Sequence, residues 1–544
     1  MRATFAFPPR ASPTYVPLGV ASLVPCVQRE VPACSVQALD LNLEAWEWVA
    51  RRETGGEALL RFFRGCESFF DEPSYSAHQQ TLSRIRVRIG WLAQEAVGYL
   101  ASGSASQEFL LLLDELTEKT LSSDPELVGF SALYLEQIPF ALALCRLIKE
   151  RSLPQPSCLT TGKLRRSPRL VLGGAALSAL REDELLTACS YVDAILVGEG
   201  EPAAAALCSD RPFVEVPGIV YRSSSGIRRN KRSWTVSLHG LPPPDFSSLP
   251  LGRYFNPCPV LPVLFSRGCR WRKCRFCAHN ASFAGYRRKS AKAFVDELEG
   301  YQCMHGARHF YLADQYVEAE DLDRVAEEIL RRRMEVFFHV MGRPIEGHTP
   351  ERLNRLFQAG CRWICWGVES GSQRILDLIN KGTRVQDMGT ILQNAAEAGI
   401  SNLAMMIFGL PTSTDIDFGQ TVRFLEGIYP SLQAMSNSSF VLWEGTHFAR
   451  KAGLYGIHIT GPQPFLTIDG RTIHSNRLRF LELSEDGSLR LPRGPMELME
   501  WETRRRWLGE CSFLEQLPCE HYLLYASHRA QGGSKPLSPL CRAA

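Results

Sequence analysis

The sequence predicts an α/β protein: a doubly wound parallel sheet, then a partial (β/α) barrel, then a small C-terminal region. Two observations predict it. Short apolar runs of strand length alternate with longer amphipathic stretches of helical period along most of the chain. The alternation halts at the proline- and serine-rich segment "KRSWTVSLHGLPPPDFSSLPLGRYFNPCPVLP" and resumes beyond it. The boundaries that follow are 1–229 for the first domain, 230–258 for an extended linker, 259–450 for the second domain and 451–544 for a region of unassigned fold.

Taken in order, "RATFAFPP" reads as a buried strand ended by a proline turn, "PLGVASLVPCVQRE" as an amphipathic helix and "CSVQALDLN" as a second strand. A mostly helical stretch runs from about Leu43 to Leu116. Then "DPELVGFSALY" is a strand, "IPFALALCRLIKERS" a helix, and "PRLVLGGAAL" and "VDAILVGEGEP" two more strands. In the second domain "VLFSRGC", "HFYLAD", "VFFHVMGR", "WICWGVESG" and "NLAMMIFGLP" are strand-like. Helical segments such as "EDLDRVAEEILRRR", "PERLNRLFQAG" and "VQDMGTILQNAAEAG" separate them. Past Lys451 only "EHYLLYAS" shows a clear pattern.

A chain of 544 residues, 45% hydrophobic and 22% charged, has the apolar material for two or three cored domains. Its net charge of +3 is small for this length, so no whole-chain field points to nucleic acid or a membrane. The N-terminal "MRATFAFPPRASP" is cut by Pro8 and Pro9 before it reads as a signal or spanning segment, and the expected location is cytoplasmic. Most of the 17 cysteines lie singly in apolar segments, as reduced thiols do.

Three are different. "FSRGCRWRKCRFCAHN" places Cys269, Cys274 and Cys277 in a C-x4-C-x2-C spacing directly after a predicted strand. Three thiolates on one loop converge on a metal centre and leave one coordination position open. The same string admits zinc with His279 as a fourth ligand.

With these residues in view, the chain resembles the radical S-adenosylmethionine (radical SAM) enzymes, in the branch with an N-terminal cobalamin-binding domain. The resemblance runs through "LDLNLE", "PELVGFSALY", "LVLGGAALS", "ILVGEGEP", "RGCRWRKCRFC", "WGVESGSQRILDLINKGT" and "MMIFGLPTST" and thins after about residue 450. The superfamily's usual spacing is C-x3-C-x2-C, and this chain has one residue more in the first gap. The resemblance implies a cobalamin-binding-like first domain, a barrel of radical SAM type, a [4Fe-4S] cluster on the three cysteines, and S-adenosyl-L-methionine chelating the fourth iron. Reduction then cleaves SAM to methionine and a 5'-deoxyadenosyl radical.

In that role Phe276 lays its ring near the adenine. Ala313, Asp314 and Gln315 end a barrel strand where the methionine ammonium would be received, and the planar fork of Arg343 suits a carboxylate. Glu369 would accept from the ribose hydroxyls, in a "GVESGS" turn that includes Gly367, Ser370 and Gly371. Gly409 and Pro411 would shape a turn against the adenine. All lie at strand C-termini, as barrel active sites do.

In the first domain Gly173, Gly174, Gly198, Gly200 and Glu201 follow apolar strands at the ligand-binding edge of a doubly wound sheet. Tight strand-to-helix turns explain the same glycines. The cobalamin signature Asp-x-His-x-x-Gly is absent; Asp40-Leu41-Asn42 is the nearest match, and His78 is the only histidine before the linker. Any cobalamin is therefore expected to lack a histidine ligand. A degenerate domain kept as scaffold is the alternative. "RWRKCR" and "YRRKS" carry a footprint also seen in nucleic-acid binders, but they bracket the cysteine loop, where positive charge favours thiolates.

The expected activity is cobalamin-dependent methyl transfer to an unactivated carbon of a small-molecule or peptide substrate, driven by an external electron donor such as flavodoxin or ferredoxin. Another radical rearrangement or cyclisation on the same cofactors, or a non-enzymatic zinc or iron-sulfur protein, are the alternatives. Cys361 and Cys365 are expected to take no part in metal binding. The insertion "SLPQPSCLTTGKLRRSP" is expected to influence the substrate.

Overall fold

The computed structural model describes residues 1–65, 68–152, 167–231, 237–282, 285–484, 487–508 and 513–532; most of the "SLPQPSCLTTGKLRRSP" insertion lies outside them. Two compact units emerge, Met1–Pro257 with Pro464–Asn476, and Cys258–Gln463 with Arg477–Ala544.

The first unit is built on strands β1 (Arg2–Phe7), β2 (Ser35–Asp40), β3 (Leu127–Ser131), β4 (Arg169–Gly173), β5 (Ala194–Leu196), β6 (Ile219–Ser223) and β7 (Gly226–Arg229). Their order is β2-β1-β3-β4-β5-β6-β7. The five predicted strands are parallel, and apolar side chains fill the sheet: after Arg2, every residue of β1 is buried. β6 and β7 add an antiparallel edge that the reading of a purely parallel sheet omits. They are short and polar, and Gly226 at φ +108° turns one into the other. Helices Leu41–Ala50, Gly56–Arg64, Glu72–Ser102 and Gln107–Leu121 form the long helical stretch between β2 and β3.

The proline-rich segment read as a linker is bound to the first unit over 237–257. Arg253 donates to Glu44 and Glu47, the Tyr254 hydroxyl to Asp40, and Asn256 Nδ2 to the Thr14 carbonyl. Glu47 is buried and also pairs with Arg51 and Arg64, so the segment supplies one of the charges that Glu47 needs.

In the second unit β8 (Val260–Val263) leads to a short antiparallel pair, β9 (Ser266–Arg267) with β10 (Arg287–Arg288). β11 (His309–Leu312), β12 (Phe337–Gly342), β13 (Cys361–Glu369), β14 (Ser401–Phe408) and β15 (Ala434–Ser439) follow, separated by helices. All six main strands are parallel and ordered as in the chain, β8-β11-β12-β13-β14-β15, which is a partial (β/α) barrel. β15, "AMSNSS", has too few apolar residues to read as a strand.

The register shows what faces inward. Asn402 bonds Trp366 and the carbonyl of Leu392 on the helix Val385–Glu397, so the even positions of β14 face the helices and the odd ones face the interior. Across the interior, Tyr311, His339, Trp363 and Ser401 stand in one layer, and Met341, Cys365, Leu403 and Ala434 in the next. Gly367, Met405 and Ser436 lie above them. The lowest layer is a stack: Tyr311 on His339 at 3.8 Å, His339 on Trp363 at 4.9 Å, and Trp363 on Tyr522 at 4.4 Å between ring centroids.

Tyr522 belongs to helix Cys519–Ala530, which packs against β11, β12 and β13 and floors the barrel. The C-terminal region thus has a structure. Strand β16 (Leu442–Trp443) pairs with β18 (Arg471–Leu483), which pairs with β17 (Ile457–Ile468), and helix Gly494–Leu508 follows.

Candidate active site

The cysteine loop leaves β8 and turns through Gly268, at φ +81°. Cys269, Cys274 and Cys277 are all half-buried and free of disulfides. Asp314, beyond β11, roots the loop: its Oδ2 accepts from the Phe265 amide at 3.1 Å, and its Oδ1 from the amide and the hydroxyl of Ser266, both at 2.5 Å. Gln315 Oε1 accepts from the Gly268 amide at 2.8 Å. The two strand-end residues expected to receive an ammonium also hold the loop. Burial raises the Asp314 pKa to about 6 against these hydrogen bonds.

The far side of the loop is fastened to the segment after helix Gln373–Leu378. The Arg275 amide donates to the Ile379 carbonyl at 2.9 Å, its guanidinium to Leu378 at 2.7 Å, and Trp271 Nε1 to Asn380 at 2.8 Å. Asn280 Nδ2 donates to the Cys274 carbonyl at 2.9 Å. A cavity of about 410 Å³ opens here, with Cys274 and Cys277 in its wall. Burial pushes the Cys274 thiol up to about 11, with the Lys381 ammonium opposing, and burial pushes Cys277 up as well. A group that holds them as thiolates must bring positive charge. Phe276 is half-buried between the last two cysteines.

Arg343, just past β12, is buried with its guanidinium over the Trp271 ring at 4.2 Å and bonded to the carbonyl of Lys381 at 2.7 Å. β13 slips register against β14 between Gly367 and Glu369, and Glu369 takes φ +66°, a left-handed conformation that a glutamate adopts only where its surroundings enforce it. Lys381 supplies one restraint, its Nζ standing 2.6 Å from Glu369 Oε1 with both side chains buried. A Cβ on Gly367 would come within 2.6 Å of that ammonium, so Gly367 makes room for the pair.

Lys381 is the residue that sequence reasoning missed. In "INKGT" it reads as a solvated cation after a helix end, and only the fold turns it inward.

Other predicted positions serve neighbouring elements. Ser370 Oγ lies 3.1 Å from Thr421 Oγ1, and a Cβ on Gly371 would meet Thr421 Cα at 2.7 Å, so this glycine seats helix Asp415–Ile428. Gly409 donates to Glu497 at 2.8 Å, and at φ +67° its Cβ would stand 2.1 Å from the Gly494 nitrogen. With buried Pro411, it turns the chain against helix Gly494–Leu508.

The strand order of the first unit reverses between β1 and β3, where open α/β sheets place their ligand crevice. Gln137 ties the two flanking loops together: its Oε1 accepts from the amides of Leu133 and Tyr134, and its Nε2 donates to the Pro8 carbonyl. Gly173 is half-exposed, and a Cβ there would meet only Leu196 at 3.8 Å. Gly174 differs: at φ +96° its Cβ would stand 2.2 Å from the Ala132 carbonyl oxygen, so it serves strand-loop packing. Gly198 turns at φ +112°, and Gly200 with buried Glu201 opens helix Gly200–Cys208.

Asp40 caps helix Leu41–Ala50 through the Leu43 amide, and Asn42 accepts from the amides of Arg10 and Ala11. Both have structural partners. His78 stacks on Phe62 at 4.0 Å and bonds the Ser74 carbonyl within its own helix.

Residues 263–425 match the family model of the radical SAM superfamily, from the end of β8 through the cysteine loop to helix Asp415–Ile428. Residues 263–425 form a radical SAM domain. Among curated proteins, the chain is 24% identical over 354 residues to an uncharacterized methyltransferase of Pyrococcus horikoshii, covering 60% of the chain and 72% of the relative. It is 26% identical over 373 residues to an anaerobic magnesium-protoporphyrin IX monomethyl ester cyclase of Rubrivivax gelatinosus, covering 63% and 62% of the two.

Its fold matches OxsB, a cobalamin-dependent S-adenosylmethionine radical enzyme solved with aqua-cobalamin, at TM-score 0.63 and 16% identity, over 93% of this chain and 66% of that one. It also matches the radical SAM methyltransferase TsrM of Kitasatospora setae, solved with cobalamin and a [4Fe-4S] cluster, at TM-score 0.55 and 17% identity, over 90% and 83%. The chain spans just under two thirds of the cyclase and of OxsB.

Proposed function

We propose that this radical SAM enzyme uses a [4Fe-4S] cluster, SAM and cobalamin to transfer a methyl group to an unactivated carbon of a small-molecule or peptide substrate. The observation that carries the reading is the free thiol triad on one rooted loop at the mouth of a parallel barrel. The donor set fits a cluster. Three thiolates each take a separate iron, whereas among the described residues no three His, Cys, Asp or Glu side chains, His279 included, converge as ligands of a single ion.

When bound, the cluster with SAM supplies a 5'-deoxyadenosyl radical, and cobalamin supplies the methyl group. The chain's own residues orient and shelter. Asp314 and Gln315 hold the cysteine loop in place. Glu369, restrained by Lys381, offers its second carboxylate oxygen to hydroxyl groups, and Arg343 backs the Lys381 turn. The uncharged inner layers of Met341, Leu403 and Met405, closed below by Tyr522, keep water from a reacting carbon.

In the first unit the half-exposed Gly173 leaves a ligand room to approach the backbone, and His78 is held within its own helix, so cobalamin there is expected base-off. No described helix is long and apolar enough to cross a membrane. Cyclisation on the same cofactors is the second reading, favoured by the likeness to the cyclase.

Anaerobic reconstitution tests the proposal. Wild-type protein should bind about four irons, as the three-thiol site implies, and Cys269→Ala, Cys274→Ala or Cys277→Ala should each abolish that binding. Cys361→Ala and Cys365→Ala should retain it, since both thiols are buried in β13. Stoichiometric zinc without iron would overturn the reading. Cobalamin should survive gel filtration, and methyl-labelled SAM should label a product; iron and SAM binding without cobalamin would leave cyclisation as the better account.

A further inference from the structure

Unpaired polar atoms gather in one layer of the barrel. Tyr311, His339, Trp363 and Ser401 stand there, on the interior face of β11, β12, β13 and β14. His339 is 0% and Trp363 1% exposed. Both ring nitrogens of His339 lack a hydrogen-bond partner, and so does Nε1 of Trp363 beside it, the two ring centroids being 4.9 Å apart. Single unpaired atoms occur elsewhere, as at Trp48 and Trp501, but among the described residues no other buried side chain leaves two polar atoms without a partner. A phenylalanine would fill the same stack without that cost, since a buried polar group left unpaired destabilises the fold. The imidazole therefore carries hydrogen-bonding capacity that the fold does not use.

The layer is reached from above. Met341, Leu403 and Met405, on the same interior face, are half-exposed, as are Tyr311 and Ser401 at the two ends of the layer itself. Met341 follows His339 on its face of β12, and an unbranched thioether gives way readily to an entering group. From Tyr311 up to Met405 the strands contribute no carboxylate, ammonium or guanidinium to the interior. Burial lowers the His339 pKa to about 3, so the ring is neutral and can accept at one nitrogen, whereas Trp363 can only donate. A group between them has to accept from the indole and donate to the imidazole. A carboxylate cannot do both, and its charge would be buried without a counter-ion.

We propose that His339 and Trp363 form a specificity subsite at the barrel floor that takes a neutral, planar amide-type group of the substrate, such as a carboxamide or a lactam. The inference rests on the reading above that substrate enters the barrel, and it narrows the substrate to molecules with an uncharged end of this kind. The two side chains bind and orient; no bond is made or broken at the subsite.

The test uses reconstituted full-length protein, with benzamide as the probe and benzoate, its charged counterpart of the same shape, as the comparison, both titrated by ligand-observed NMR. Wild type should bind benzamide roughly tenfold or more tightly than benzoate, the discrimination of a site whose buried polar groups need pairing. His339→Phe keeps a ring in the stack and removes both nitrogens; it should lose that preference while the urea midpoint of the second unit holds or rises. Trp363→Phe should act in the same direction on binding, and His339→Gln, which restores a donor and an acceptor, should recover part of the preference. A purely structural role would do the reverse, lowering the midpoint in both phenylalanine variants and leaving the benzamide-to-benzoate ratio unchanged. That result, or a wild type that binds benzoate as tightly as benzamide or binds neither, would overturn the subsite. A benzamide preference in protein that takes up no iron would overturn the cluster reading and leave the subsite standing.

Discussion

Replacing Lys381 by methionine isolates the buried pair at the end of β13. The ammonium lies 2.6 Å from Glu369 Oε1, and the two side chains are 8% and 10% exposed. The substitution keeps most of the side-chain length and removes the charge. It leaves a carboxylate buried without its counter-ion, on a residue already at φ +66°. Breaking a buried pair from one side costs about 3–5 kcal/mol, so unfolding of the second unit should shift to lower urea by that amount.

Glu369→Gln alone leaves the ammonium unpaired and should also destabilise. The double variant removes both charges and should recover about 1–3 kcal/mol relative to the sum of the singles, as coupled neighbours do. The assay is a double-mutant cycle on urea midpoints, followed by tryptophan emission and far-ultraviolet circular dichroism, with SAM titrated into reconstituted samples of each variant. Additive singles, or a Lys381→Met loss below about 1 kcal/mol, would refute the argument and make the contact equivalent to a surface ion pair.

Two further outcomes are expected. Burial raises the Asp40 pKa to about 7 in the folded protein, well above the ordinary carboxylate range. The native state therefore binds the proton more tightly, and the stability it contributes is full below about pH 4 and declines as pH rises towards 7. Asp40→Asn keeps Oδ1 as acceptor for the Leu43 amide, turns its Nδ2 to the Tyr254 oxygen as a donor, and should flatten that decline, read as urea midpoint of the first unit against pH. Gly409→Ala forces a Cβ towards the Gly494 nitrogen at a positive φ and should lower the unfolding free energy of the second unit by about 2–4 kcal/mol, read from its urea midpoint; an unchanged midpoint would show that the contact yields freely.

The parallel strands were legible because each is a dense apolar run that has to be buried on both faces. β6, β7 and β15 were not, since short strands with polar alternation resemble turns in a linear string. The cysteine triad stood out by its spacing, which left zinc open until the resemblance pointed to a cluster. The polar residues around it were legible as strand-end positions but not by partner: only the fold brings Asp314 under Ser266 and Lys381 onto Glu369. Glycines are ambiguous for a related reason. Gly174, Gly371 and Gly409 admit a neighbouring backbone or helix, and a missing side chain looks the same whether the space is kept for a ligand or for the protein itself.

Residues 464–476 count with the first unit, although the chain on both sides of them counts with the second. The main chain consequently passes from one unit to the other three times, after Pro257, after Gln463 and after Asn476. His474 is held there by Glu184 at 3.0 Å, and Leu180 bridges to Ser475. A fragment ending at residue 257 would lack the segment that covers Leu180 and satisfies Glu184, so an autonomous version of the first unit has to carry the hairpin tip grafted on. Likewise, a protease that cuts after Pro257 frees residues 1–257 but leaves 464–476 on the chain of the second unit, so releasing both units whole takes three cuts.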